Sequence, residues 1–336
     1  MSIFLVILMY ATWSSVFSLA KIALEHSPPL FLTATRMLLA SVLLLGYLAL
    51  FKRSSFKISG KQFGLLILLG LFSIYLTNAL EFWSLQHLTA AKTCFFYSLS
   101  PFFAALFSYL HFGEKMNGRK WLGVTIGFIG FIPVLAMQKG ASELLTSFYF
   151  ISWPELAMVA ASLCTAYGWI LLRLVVNPTS AQSTPLSPLM ANGTSMLLGG
   201  LLALFHSMYS EAWNPTPVAA SGFLPFAQGI LIMTFISNIL CYNLYGYLLK
   251  RFTATFLSFM GLLSPIFASL NSWIFLGEEP SFIIFLGTGV VSIGLWMIYS
   301  AELKQGYIRR KVEVASADTI EPVARPQFLP KSALLP

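Results

Sequence analysis

The chain has 336 residues, 57% of them hydrophobic and only 10% charged, with a formal net charge of +8. Soluble domains carry roughly 25% charged residues, so this composition cannot cover a water-facing surface, and a mean hydropathy of +0.78 agrees. The short alternating segments of an outer-membrane barrel are missing, which leaves helices as the means of crossing a membrane.

Apolar runs long enough to span about 30 Å of hydrocarbon, punctuated by Pro, Gly and charge clusters, predict ten helices. They lie near 3–23, 29–51, 61–85, 88–111, 118–137, 152–173, 187–207, 223–247, 253–274 and 280–300. No Lys or Arg precedes the first run, which is therefore read as a span and not as a cleaved leader. It carries Trp13 and ends at Lys21, expected with Lys92 to snorkel to the headgroups. In the second helix Arg36 stands seven residues from the start, about 10 Å deep at 1.5 Å per residue. An ionised group at that depth faces the bundle interior or a water-filled cavity.

The third helix brings Tyr75, Asn78 and Glu81, the last close to its outer end; Trp83 and Tyr247 suit an interfacial aromatic belt. Arg36 and Glu81 are expected to line one vestibule, Arg36 holding a carboxylate bidentately and Glu81 facing a cation; the alternative is a structural ion pair. The fourth helix holds Ser100-Pro101, and the fifth a GxxxG at Gly123 and Gly127 suited to close helix packing. Tyr167 and Trp169 in the sixth, and Asn238, Tyr242 and Asn243 in the eighth, interrupt spans that would be nearly all Leu and Val if they faced only lipid. Such aromatic faces hold a flat heterocycle or a sulfonium by stacking and cation–π attraction. Cys94, Cys164 and Cys241 sit singly in apolar runs and have no metal-ligand spacing. Beyond residue 300 the composition turns charged and Pro-containing, and the tail 301–336 is expected to be cytoplasmic and disordered.

The stretch SPFFAALFSYLHFGEK from Ser100 returns as SPIFASLNSWIFLGEE from Ser264. At this constant displacement of 164 residues Ser100-Pro101 matches Ser264-Pro265, Gly113-Glu114 matches Gly277-Glu278, and Ile129-Gly130 matches Ile293-Gly294. Upstream, Thr89-Ala90 matches Thr253-Ala254. The chain therefore reads as two five-helix repeats, 1–138 and 152–300. Five is odd, so the repeats lie inverted in the membrane, an arrangement that lets a transporter open to either side in turn. Pro101 and Pro265, each removing a backbone donor at equivalent places, are candidate hinges. Placing both termini in the cytoplasm puts 16 of the 20 Lys and Arg residues inside, as the positive-inside rule demands, and leaves no basic surface for nucleic acid to explain.

These landmarks resemble those of the drug/metabolite transporter superfamily in its EamA-type ten-helix form. Trp13, Phe17, Lys21, Pro29 and Arg36 stand in the family's order, with Ser14 where a Gly is usual, and the Thr-Ala, Ser-Pro and Gly-Glu landmarks occur in both halves. The whole chain is also similar, without a diagnostic motif, to the exchangers of S-adenosylmethionine for S-adenosylhomocysteine of obligate intracellular bacteria. The resemblance implies alternating-access transport of a small amphipathic metabolite across a bacterial inner membrane, with S-adenosylmethionine exchanged for S-adenosylhomocysteine as the named candidate.

Enzyme chemistry finds no support. The only Asp is Asp318 in the tail, and HExxH, GxSxG and P-loop motifs are missing. No cofactor and no metal are expected. The partners expected are a small-molecule substrate, the lipid bilayer and a second copy of the chain in a homo-oligomer. An amino-acid or other metabolite exporter is the alternative within the class; a non-transporting membrane scaffold or receptor is the alternative outside it.

Overall fold

A computed structural model describes residues 2–56, 58–112, 116–130, 132–133, 151–178, 184–249, 252, 257 and 260–305. The Gly113-Glu114 turn, Lys57, Lys115, Lys139, Lys250, Arg251, Thr253-Ala254 and the tail from residue 306 lie outside them.

Among the described residues all regular structure is helical, and a helix lies on each predicted segment. These are α1 (Ser2–Leu24), α2 (Pro29–Phe51), α3 (Gly60–Leu85), α4 (Ala90–His111), α5 (Gly118–Ile129), α6 (Trp153–Val176), α7 (Pro188–Ser210), α8 (Phe223–Leu248), α9 (Gly261–Leu276) and α10 (Phe282–Gln305). Eight are long and apolar enough to cross a membrane, and α9 is a shorter apolar helix. The protein is an all-α, multi-pass membrane protein.

Local chemistry sets the helix starts. Ser59 and Gln62 close a capping box on α3 and Ser152 and Glu155 another on α6, while Thr89, Asn117 and Ser187 accept the backbone N–H three residues on; each satisfies a donor that a helix leaves orphaned. Pro28 offers α2 no such oxygen. The carboxylate of Glu211, beyond the end of α7, takes its place by accepting from the N–H groups of Leu30 (2.7 Å) and Phe31 (2.9 Å).

Two helices are interrupted alike. In α3 the stretch Gly70–Leu76 winds as a π-helix, and 164 residues later so does Thr234–Cys241 in α8. A 3₁₀ turn at Tyr97–Leu99 opens onto a helix beginning at Ser100, and at the same displacement one at Gly261–Leu263 opens onto Ser264. The sequence repeat is thus also a repeat of backbone irregularities.

Packing crosses between the halves. α2 lies along α7, α5 along α10, α1 against α8 and α9, and α6 against α3 and α4. Close approach is made by small residues, as expected where lipid removes the hydrophobic drive for helix association. A Cβ on Gly123 would meet Gly294 O at 2.6 Å, and one on Gly199 would meet Gly70 O at 2.5 Å. The GxxxG of α5 therefore seats on α10. The second contact holds the π-helical stretch of α3 against α7. The largest buried cluster gathers Met9, Met37, Leu69, Trp169, Met196 and Tyr245, where the two halves meet.

Candidate functional site

A cavity opens at this meeting of α1, α2, α3, α4, α6, α8 and α9. Of the residues proposed from sequence, Trp13, Arg36, Asn78, Glu81, Trp169 and Tyr242 line it.

At one end stand the charges. Arg36 is 2% exposed; its Nη2 donates to Asn78 Oδ1, its guanidinium carbon lies 4.8 Å from the centre of the Phe82 ring, and its buried Nε meets no hydrogen-bond partner. Asn78 is oriented by the π-helical turn before it. That turn leaves the carbonyls of Ser73 and Ile74 to be satisfied by Asn78 Nδ2, at 3.4 and 2.7 Å, and the amide oxygen is thereby turned toward Arg36. Glu81, one helical turn further on, accepts from Tyr97 Oη at 2.7 Å. Arg36 and Glu81 each take a neutral hydrogen-bond partner, and no direct ion pair joins them among the described residues. Both retain bonding capacity toward the cavity.

At the other end stand the rings. Trp13 contacts Tyr10, Trp169, Tyr242 and Tyr245 at centroid distances of 6.4, 5.9, 5.2 and 6.1 Å, and Trp169 lies 4.1 Å from Tyr245. Tyr242 lines the cavity within this ring cluster, 5.2 Å from Trp13 and 5.7 Å from Trp169. Among the described lining residues Arg36 and Glu81 are the only acid or base of the Asp, Glu, Lys, Arg and His types.

Four sequence candidates lie elsewhere. Tyr75 turns outward to hydrogen-bond His206 at 2.8 Å. Tyr167 packs edge-on against Phe72 and beside Phe107 and His111. Asn238 is wholly buried against Met37, with Nδ2 2.9 Å from Sδ. Asn243 repeats in α8 what Asn78 does in α3, donating to the carbonyls of Asn238 (3.2 Å) and Ile239 (2.8 Å), but its oxygen accepts from Asn192 (3.1 Å) where Asn78 meets Arg36. These residues serve the π-helical stretches or an outer face because their helices turn them away from the cavity. The proline pair is split: Pro101 lines the cavity, whereas Pro265 is buried in the first turn of its helix and does not.

Sequence reasoning missed Tyr10, Tyr97, Thr77, Thr165 and Ser237 as lining residues. Tyr97 carried one available signal, its place three residues before the repeated Ser-Pro. Nor do Lys21 and Lys92 snorkel. Lys21 Nζ lies 2.6 Å from Glu278 Oε1, and Lys92 Nζ lies 2.6 Å from Glu155 Oε1, the second pair only 3% exposed on each side chain. In both cases the amine is held by a carboxylate of the opposite repeat.

Among the described residues no group of three or more His, Cys, Asp or Glu could hold a metal ion.

Known proteins are similar to this chain. The chain is 39% identical over 309 residues, 92% of itself and 94% of the relative, to a protein of Chlamydia muridarum named S-adenosylmethionine/S-adenosylhomocysteine transporter. A protein of the same name from Chlamydia trachomatis serovar L2 is also 39% identical, covering 92% of each chain. An uncharacterized inner membrane transporter of Escherichia coli K12 is 26% identical over 294 residues, 86% of this chain and 88% of its own. One crystal structure of a protein, 16% identical in sequence, shares the fold with a TM-score of 0.61 over 89% of this chain and 97% of its own. The model of the EamA-like transporter family matches twice, over residues 1–136 and again over 152–300, and the chain is therefore a membrane transporter that belongs to the EamA-like transporter family.

Proposed function

We propose that the protein exchanges S-adenosylmethionine for S-adenosylhomocysteine across a bacterial inner membrane. The observation that carries this reading is the bipolar cavity. Arg36 and Glu81 complement the carboxylate and ammonium of an amino-acid end, and Trp13, Trp169, Tyr242 and Tyr245 offer faces to a flat heterocycle. The names of the Chlamydia relatives point the same way.

The transport cycle in this reading is alternating access by two inverted repeats, 1–138 and 152–300, within a ten-helix bundle. The twofold family match and the return of π-helical and 3₁₀ turns after 164 residues support it. So does the repeat-exchanged packing of α1 on α9 and α6 on α4. Pro101 and Pro265, each just after a 3₁₀ turn, are the proposed hinges, since a helix already interrupted bends at low cost. Both termini lie in the cytoplasm, and no reaction is catalysed.

The test is uptake of labelled S-adenosylmethionine into liposomes holding the purified full chain. Uptake that requires internal S-adenosylhomocysteine supports the exchanger. Folded protein giving no uptake above protein-free liposomes removes this substrate and leaves a transporter of another metabolite, with amino-acid efflux measured next.

A further inference from the structure

The substrate reading above poses a physical problem on which this inference rests. One ligand carries a sulfonium cation where the other carries a neutral thioether, and a single cavity has to hold both. A carboxylate placed at the sulfur would be satisfied by the first and left as a buried, uncompensated charge by the second, which is strongly unfavourable. An aromatic face attracts a cation through its quadrupole and also packs against a neutral sulfur.

The cavity separates these tasks along α1. Phe17 contacts the Tyr97 ring at 5.6 Å, and Tyr97 donates to Glu81, so this level belongs to the charged end. Trp13 stands one turn earlier, about 6 Å along the axis at 1.5 Å per residue, within the cluster of rings. In the ligand, two methylene groups separate the zwitterionic carbon from the sulfur. An amino-acid end fixed by Arg36 and Glu81 therefore brings the sulfur to the level of Trp13. Tyr10, Trp169, Tyr242 and Tyr245 are at least nine-tenths buried, whereas Trp13 is only partly so, and its ring is the face of the cluster most open to a ligand.

We infer that Trp13 determines specificity at the sulfur: it ranks sulfonium above thioether by cation–π attraction, while Arg36 and Glu81 read the amino-acid end that both ligands share. The identity of the charged end sets whether a ligand binds; the ring at Trp13 sets the ratio between the two.

The experiment measures equilibrium binding of labelled S-adenosylmethionine and S-adenosylhomocysteine to the purified full-length chain in detergent, for the native protein, Trp13→Leu and Trp13→Phe. In Trp13→Leu the affinity for the sulfonium ligand is expected to fall about 10-fold relative to the thioether, the size of a well-formed cation–π contact. In Trp13→Phe the ratio is expected to be restored in part. The size-exclusion profile and thermal melting midpoint report folding in the same preparation, and if Trp13→Leu does not fold, the Trp13→Phe ratio alone decides. Equal losses for both ligands, or an unchanged ratio in the folded variants, overturn the role of Trp13 and leave the exchanger standing. Native protein that is folded yet binds neither ligand overturns the substrate reading and this inference together.

Discussion

Lys21 Nζ lies 2.6 Å from Glu278 Oε1, joining the last turn of α1 to the second residue beyond α9 across 257 positions of sequence. Glu278 follows Gly277, whose φ of +67° sets the left-handed close of α9. Its other oxygen accepts from Ala90 N at 3.2 Å, and Lys21 also donates to Leu88 O at 3.0 Å. One carboxylate thus gathers α1, α4 and α9 one turn beyond the cavity residue Phe17. In the proposed alternating-access cycle, opening the cavity at this end breaks these bonds. Glu278→Gln is therefore expected to raise the rate at which a water-borne thiol reagent reaches the cavity residue Cys94 several-fold. The Lys21→Glu/Glu278→Lys exchange is expected to restore closure only in part, because a lysine cannot accept from Ala90. Labelling rates unchanged in Glu278→Gln would refute the latch.

The Lys92–Glu155 pair is buried and behaves differently. Removing one partner leaves an uncompensated charge in a low-dielectric site, at a cost of about 3–5 kcal/mol, whereas replacing both with apolar groups is far milder. Lys92→Met is expected to lower the thermal unfolding midpoint sharply. Lys92→Met/Glu155→Leu is expected to recover part of that loss, less the capping bonds Glu155 makes to Ser152 at 2.7 and 2.8 Å. Thermal melts of the purified variants in one detergent decide the point, and a double mutant as unstable as the sum of its singles argues against a coupled pair.

Arg36 presents a planar donor set to the cavity, and lysine keeps its charge but not its fork. Arg36→Lys is expected to fold and to lose at least about 10-fold in uptake, since charge-assisted bidentate bonds contribute well over 1 kcal/mol. Native uptake kinetics in this variant would remove the carboxylate-clamp role.

Tyr97→Phe deletes the 2.7 Å donation to Glu81 and leaves the ring in place. A hydrogen bond to a charged group contributes about 1.5–3 kcal/mol, so ligand affinity is expected to fall because Glu81 loses its orientation. Glu81→Gln is expected to cost more, since it also removes the charge. Titrations that rank the two variants the other way would show that Tyr97 acts by direct contact with the ligand.

At the contact of α5 and α10, Gly294→Leu is expected to prevent native packing, because even a Cβ there would lie 2.5 Å from Gly123 O. Gly289→Ala, in the same helix with open space around it, is the matched control. Size-exclusion profiles after purification compare them directly, and a monodisperse Gly294→Leu protein would show that the two helices can part.

The sequence by itself determined the class, the helical spans and the family, because hydropathy, helix caps and the repeated Ser-Pro and Gly-Glu landmarks are written locally. The depth of Arg36 and its need for a polar surrounding were legible for the same reason. Which face of each helix meets the cavity was not. Tyr75 and Tyr242 look alike as rings within apolar spans, yet one turns outward to His206 and the other lines the cavity. Lipid and a binding cavity both accept aromatic residues, and only the packing of neighbouring helices separates them. The same holds for Lys21 and Lys92, whose snorkelling was reasonable for isolated helices. Their carboxylates arrive from α9 and α6, and the tertiary structure alone brings the two repeats close enough for those charges to meet.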